Sequence, residues 1–201
     1  MATRSAGKLR ELRAMLRDAG VDAIDLVQAG IAESAVEDAL EVEPTFEGNA
    51  LAKARHFRRV SGMPTIADDS GLEVAALGGA PGVRSKRWSG RADLSGPALD
   101  DENNRLLLER LAGAADRTAK YVCAAAYCGD GVEFVERGET AGHITGAPAG
   151  SGGFGYDPYF FSEELGRAFG EVSMEEKARV SHRARAFAKL LRRIEKNRVM
   201  R

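Results

Sequence analysis

The chain has 201 residues, enough for one well-buried core or for one core with a second lobe. Hydrophobic content of 44% and charged content of 29% are those of a soluble globular protein. A net charge of −1 offers no general attraction to nucleic acid or an anionic membrane, so polyanion specificity must come from local Lys and Arg clusters. No run is long enough to span a membrane, and no signal-peptide core opens the sequence. Cys123 and Cys128 are five apart in a strand-like stretch, which points them to opposite faces and predicts packing rather than a disulfide. The expectation is a cytoplasmic protein in a reducing compartment, with neither nucleic acid nor membrane as partner.

In chain order, Leu9, Leu12, Met15 and Leu16 predict an amphipathic helix over Lys8 to Ala19, closed by Gly20. A second helix is predicted over Asn49 to Val60, with Ala50, Ala54 and Phe57 on one face. Pro64 to Ala67 and Leu72 to Leu77 read as strands flanking an acidic turn, followed by a loop over Gly78 to Gly90. A helix over Asp100 to Leu111 would turn Leu107, Leu108, Leu111 and Ala112 inward. Tyr121 to Tyr127 reads as a strand, Gly129-Asp130-Gly131 as a hairpin signal, and Val132 to Ile144 as one or two returning strands. Ala147 to Gly155 is a Gly/Pro-rich loop. Ser173-Met174-Glu175-Glu176 is a capping-box pattern, and Ser181 can cap a last helix with Phe187, Leu190, Leu191 and Ile194 as its apolar stripe. Early alternation of helix and strand with a central hairpin predicts an α/β fold with a mixed sheet. A single domain spanning 1–201 is expected, with a second lobe over roughly 117–144.

Four polar clusters fall where regular structure should break. Ala67-Asp68-Asp69-Ser70-Gly71 supplies hard anionic oxygens, which suit Mg²⁺, a cation that takes one or two carboxylates plus water and phosphates. A second carboxylate can come from Glu41 or Glu43. Thr3-Arg4-Ser5-Ala6-Gly7-Lys8 places hydroxyls, a lysine and free N–H groups at a helix start, which suits phosphate, although it is not a P-loop pattern. In Gly152-Gly153-Phe154-Gly155-Tyr156-Asp157-Pro158, glycines free the backbone to approach a ligand. There Phe154 can stack on a base, while Tyr156 or Asp157 can bond its edge or the ribose. Ser181-His182-Arg183 brings donors to a helix start, with Lys177 and Lys53 on neighbouring helices. His56, His143 and Trp88 receive no role. Metal, phosphate and base together spell a nucleoside triphosphate site. Each cluster alone also has an ordinary structural reading: a turn, a capped helix, a core aromatic, a surface lysine.

Taken in order, these motifs resemble the inosine triphosphate pyrophosphatase family, the dITP/XTP "house-cleaning" pyrophosphatases. The resemblance runs nearly end to end. It is carried by Ala2-Thr3-Arg4-Ser5-Ala6-Gly7-Lys8 with Glu11-Leu12, Thr45-Phe46-Glu47-Gly48-Asn49-Ala50-Leu51-Ala52-Lys53-Ala54 and Ala67-Asp68-Asp69-Ser70-Gly71-Leu72. It continues in Gly78-Gly79-Ala80-Pro81-Gly82-Val83, the Gly152 to Pro158 segment and Ser181-His182-Arg183. It implies hydrolysis of ITP, dITP and XTP to the monophosphate and pyrophosphate, removing them from the nucleotide pool. It also implies Mg²⁺ (with Mn²⁺ as substitute), a homodimer, and an elongated α/β fold of two lobes around a central cleft. Asp69 matches the catalytic carboxylate and metal ligand, and Glu41 a second metal-side carboxylate. Lys53 matches a phosphate contact, and Thr3, Arg4, Ser5, Ala6, Gly7 and Lys8 match the phosphate-binding segment. Ser70, Phe154, Gly155, Tyr156, Asp157, Lys177, His182 and Arg183 match substrate-contacting positions. In the mechanism this implies, Lys8, Lys53 and Lys177 stabilise the leaving pyrophosphate. Two positions depart from the family pattern. Only Met1 and Ala2 precede Thr3, implying a short first strand or a truncated start, and Ser5 replaces a common Asn. An enzyme for modified pyrimidine triphosphates and a non-catalytic nucleotide sensor are the alternatives.

Overall fold

The computed structural model describes residues 1–200. Its helices are α1 (Ala6–Asp18), α2 (Phe46–Ser61), α3 (Gly96–Arg110), α4 (Met174–Val180) and α5 (His182–Val199). Its strands are β1 (Thr65–Val74), β2 (Thr118–Gly129), β3 (Val132–Ile144), β4 (Phe160–Ser162) and β5 (Arg167–Ala168), which follow one another across a five-stranded sheet. The α/β class is as the sequence predicted. Asp130 and Gly131 form the two-residue turn between β2 and β3, both at positive φ (53° and 73°), the geometry favoured in a tight hairpin. At the far side of the sheet Ile144 lies opposite Phe160 and Phe161 opposite Ala168, both in antiparallel register. The short strands β4 and β5 carry no alternation long enough to be read from sequence.

The chain divides into two compact units. The first comprises Met1–Asp69, Cys123–Gly138 and His182–Arg201; the second comprises Ser70–Val122 and Glu139–Ser181. The stretch 117–144 thus contributes to both. In the first unit Leu12, Cys123, Ala125, Tyr127, Ala186, Phe187 and Leu190 form one core. In the second, Leu72, Val74, Leu107, Tyr121, Ile144, Phe160 and Phe169 centre another. Each core supplies the apolar burial on which its unit's helices and strands depend, at roughly 1.5–3 kcal/mol per fully buried large side chain.

Local chemistry explains the element ends. Ser5 and Thr45 cap α1 and α2 by accepting from the N–H groups of Lys8 and Gly48, so the helices begin two and three residues earlier than apolar periodicity alone suggests. Ser173 and Glu176 form the expected capping box of α4. Ala112 lies past the end of α3 and is exposed, contrary to its predicted inward face. The larger correction concerns Asp68-Asp69-Ser70-Gly71. These are turn residues by type, yet they lie inside the continuous strand β1. Val74 and Leu72 are fully buried beyond them, and burial of the whole segment outweighs its weak local preference for a turn. Met1–Ser5 forms no strand; its link to β1 is the Ala2 N–H bond to the Ile66 carbonyl, 2.8 Å. The segment Gly82–Arg87, within the predicted loop, is a 3₁₀ turn. Cys123 and Cys128 are free thiols, the first buried and the second half-buried. Among the described residues, no helix is long and apolar enough to cross a membrane.

Candidate active site

Because Asp68 and Asp69 are successive strand residues, their side chains leave opposite faces of β1. Within the first unit each makes its close contacts with different side chains, Asp68 with Lys8 and Arg183 and Asp69 with Asn49 and Lys53. Asp68 is 1% exposed. Its Oδ2 lies 3.1 Å from Lys8 Nζ and 3.2 Å from Arg183 Nε. Burial alone would push its carboxyl up, but Lys8, Arg183 and Lys53 outweigh that and hold it well below the usual carboxylate range. Arg183, also buried, pairs in addition with Glu11 of α1. Its guanidinium is therefore engaged by two carboxylates and fixes Asp68. Three elements converge here because α1 carries Lys8 and Glu11 three residues apart on one face and α5 begins with His182-Arg183.

Asp69 faces α2. Asn49 Nδ2 donates to its Oδ2 at 2.9 Å, and Lys53 Nζ stands 3.5 Å from its Oδ1. Asn49 and Lys53 are one helical turn apart, on the same face as the buried Ala50, Ala54 and Phe57. Lys53 also pairs with Glu41. Burial dominates the Asp69 carboxyl and raises its pKa; the attraction of Lys53 and Lys8 only partly offsets this, and Glu41 adds to the rise. Two adjacent carboxylates are thus driven in opposite directions by their surroundings.

The second unit holds the aromatic loop. Asp157, 1% exposed, accepts from Lys177 Nζ at 2.6 Å, from the Phe154 N–H at 2.8 Å and from the Tyr121 hydroxyl at 3.2 Å. Lys177 Nζ also lies 4.9 Å from the centroid of the half-buried Phe154 ring. Gly153 is required for this wrap: it has φ +76°, and a Cβ there would meet Asp157 Oδ2 at 2.2 Å. The Tyr156 hydroxyl donates to the Ser85 carbonyl at 2.8 Å, and burial pushes its pKa up. Asp157 and Tyr156 thus hold the loop, with the half-buried Phe154 ring set against the Lys177 ammonium. Lys177, predicted as a substrate contact, bonds Asp157 and stands over the Phe154 ring.

The remaining predicted residues are placed as follows. Thr3 Oγ1 accepts from the Ser5 N–H at 3.2 Å, and Ala6 and Gly7 open α1. Arg4 forks onto Glu37, at 3.0 and 2.7 Å, and so is tied to the 3₁₀ turn Glu37–Leu40. Ser70 follows Asp69 on β1 and begins the second unit. His182 is buried at the start of α5. Sequence reasoning gave no role to Asn49, Glu11 or Tyr121. A signal for Asn49 was present: it is a polar residue four before Lys53 in the apolar stripe of α2.

A model of the Ham1 family matches residues 1–193. The chain belongs to the Ham1 family. A dITP/XTP pyrophosphatase of Ralstonia nicotianae is 45% identical over 197 residues, covering 96% of this chain and 94% of the relative. A HAM1 protein from Coxiella burnetii has a solved structure that superposes with a TM-score of 0.82 at 34% identity, covering 97% and 96% of the two chains. The nucleoside-triphosphatase, or dITP/XTP pyrophosphatase, of Mycobacterium abscessus superposes at 0.71 with 40% identity over 94% and 95%. The Ham1 fold seen in these structures is thus the fold of this chain, with the carboxylate strand and the aromatic loop described above as its chemical features.

The carboxylates of Glu41 and Asp69 fit a divalent cation. Glu41 and Asp69 both approach Lys53 Nζ, so a single cationic centre is already shared between them. Mg²⁺ takes one or two protein carboxylates and completes its shell with water and phosphate oxygens. Among the described residues no group of three or more His, Cys, Asp or Glu side chains forms a metal cage.

Proposed function

We propose that this protein is a hydrolase that cleaves dITP, XTP and ITP to the nucleoside monophosphate and pyrophosphate, clearing them from the cytoplasmic nucleotide pool. The observation that carries the reading is the pair Asp68–Asp69, one carboxylate held low by Lys8 and Arg183, the other raised and held by Asn49 beside Lys53. The names borne by the Ralstonia and Mycobacterium relatives support the substrate class. Environments that push neighbouring carboxyls apart assign them different tasks. Asp69, with the raised pKa, accepts the proton of the attacking water. Asp68 stays ionised and orients Lys8 and Arg183. Glu41 and Asp69 would hold Mg²⁺, with Mn²⁺ as substitute. When bound, the ion supplies neutralisation of the phosphates and orientation of water. Lys8 and Lys53 stabilise charge developing on the leaving pyrophosphate.

The base end falls to Phe154 by stacking, with the Lys177 ammonium supplying donors at its edge. A 6-oxo purine accepts from such donors, whereas a 6-amino group opposes them with its own, a mismatch that can cost on the order of 10⁴ in selectivity. Assembly as a homodimer is part of the same proposal. Pyrophosphate release from a panel of triphosphates with Mg²⁺ tests it. dITP, XTP and ITP should be cleaved far faster than ATP and modified pyrimidine triphosphates. Equal rates across the panel, or binding without turnover, would refute it.

Phe154→Ala should weaken nucleotide binding by roughly 1–3 kcal/mol, the scale of base–aromatic stacking. Inorganic triphosphate, having no base, should bind as before in a competition assay. Equal losses for both ligands would make Phe154 a support of the fold.

A further inference from the structure

Resting on the reading of the Phe154 loop as the base-binding segment, we propose that Asp100 and Asn104 of α3 are positioning residues that set base selectivity by clamping Gly155. Gly155 sits between the stacking ring of Phe154 and the anchored Tyr156, at φ +64°, without a side chain to restrain it. Left alone it is the hinge about which the ring would swing. Both of its backbone polar groups are instead held from one helix. Asp100 Oδ2 accepts from the Gly155 N–H at 3.0 Å, and Asn104 Nδ2 donates to the Gly155 carbonyl at 2.9 Å. Residues four apart lie one above the other on a helix face, so the two side chains reach the two sides of one peptide residue.

The clamp is itself braced. Asp100 Oδ1 takes Lys86 Nζ at 2.8 Å. Asn103 accepts from the Ser89 N–H at 2.8 Å and donates to the Lys86 carbonyl at 3.0 Å. The Tyr156 hydroxyl closes the circuit on the Ser85 carbonyl. Asp100, Asn103 and Asn104 thus tie the Ser85–Ser89 segment and the Phe154 loop to the same helix. Asn104 is 4% exposed, and its Oδ1 has no hydrogen-bond partner among the described residues. A buried acceptor left unpaired is costly, so this position is explained by what its donor does, not by packing, which a leucine would serve better. The geometry makes ring placement, and with it discrimination between bases, depend on a helix that supplies no group to the base itself.

Asn104→Asp removes the donor and sets a carboxylate oxygen against the Gly155 carbonyl in the same volume. KM for dITP should rise about tenfold, the scale of one lost hydrogen bond with its acceptor stranded, while kcat changes by less than about twofold. The dITP-to-dATP ratio of kcat/KM should narrow, and inhibition by inorganic triphosphate should stay the same. Asp100→Ala should act alike, and Asp100→Asn, which keeps an acceptor for the Gly155 N–H, should recover most of the loss. Should Asn104→Asp fail to fold, this pair at the half-buried Asp100 decides. In a Phe154→Ala background Asn104→Asp should add little, because no ring remains to be placed. A tenfold loss persisting in that background, or an equal loss for inorganic triphosphate, overturns the clamp. If Phe154→Ala itself leaves KM for dITP unchanged, the base-loop reading fails and the clamp falls with it. If it raises KM and the α3 variants do not, the clamp alone is wrong.

Discussion

Asp69→Asn is expected to fold and to lose at least ~10²-fold in turnover of dITP, the scale of a positioned acid–base group. The substitution keeps size and shape, so the burial of β1 is preserved. It cannot keep the polar pattern. Asn49 Nδ2 needs an acceptor at 2.9 Å on one oxygen, and Lys53 Nζ needs one at 3.5 Å on the other. An amide offers a single acceptor, so either orientation turns an NH₂ toward an existing donor. The proposed proton acceptor is lost as well. Measuring kcat for pyrophosphate release beside the thermal midpoint separates chemistry from folding. Near-normal turnover would return the Asp68-Asp69 pair to a purely structural role.

How far the sequence carried this site can be seen from single residues. The helix faces of α1, α2 and α5 were legible because apolar spacing at 3.6 residues reports burial directly, and Leu12, Ala50, Ala54, Phe57, Phe187 and Leu190 are all buried. The hairpin at Asp130-Gly131 was legible because its turn requires residues that tolerate positive φ. The in-strand position of Asp68 and Asp69 was not, since the residue types favour a turn and only the long-range burial of β1 overrides them. The same limit explains Arg183, Tyr156 and Asp157. The structure engages them with Glu11 and Asp68, with Ser85, and with Lys177, Tyr121 and Phe154. All of these partners but Phe154 lie tens of residues away, and local pattern carries no record of them. Asn49 and Asn104 show the converse, since polar residues on inward helix faces are visible in sequence as anomalies.

Removal of divalent metal by EDTA should abolish hydrolysis while leaving the fold intact, and Mg²⁺ or Mn²⁺ should restore activity. Glu41 and Asp69 are oxygen donors, the set preferred by hard cations, so Zn²⁺ should restore far less. The expectation of an unchanged fold comes from Lys53. Its ammonium contacts both carboxylates and, although burial opposes its charge, Asp69, Glu41 and Asp68 raise its pKa and keep it protonated. The acidic face of the site is therefore balanced by a resident cation of the protein, so the proposed metal would handle phosphate rather than hold α2 against β1. This separates the site from structural metal centres, where chelation unfolds the domain. Two measurements on one sample make the test: pyrophosphate release and the thermal midpoint, each before and after chelation. Full activity after rigorous chelation would refute a metal-assisted mechanism. A large fall in the midpoint would show that Lys53 does not by itself balance Glu41 and Asp69.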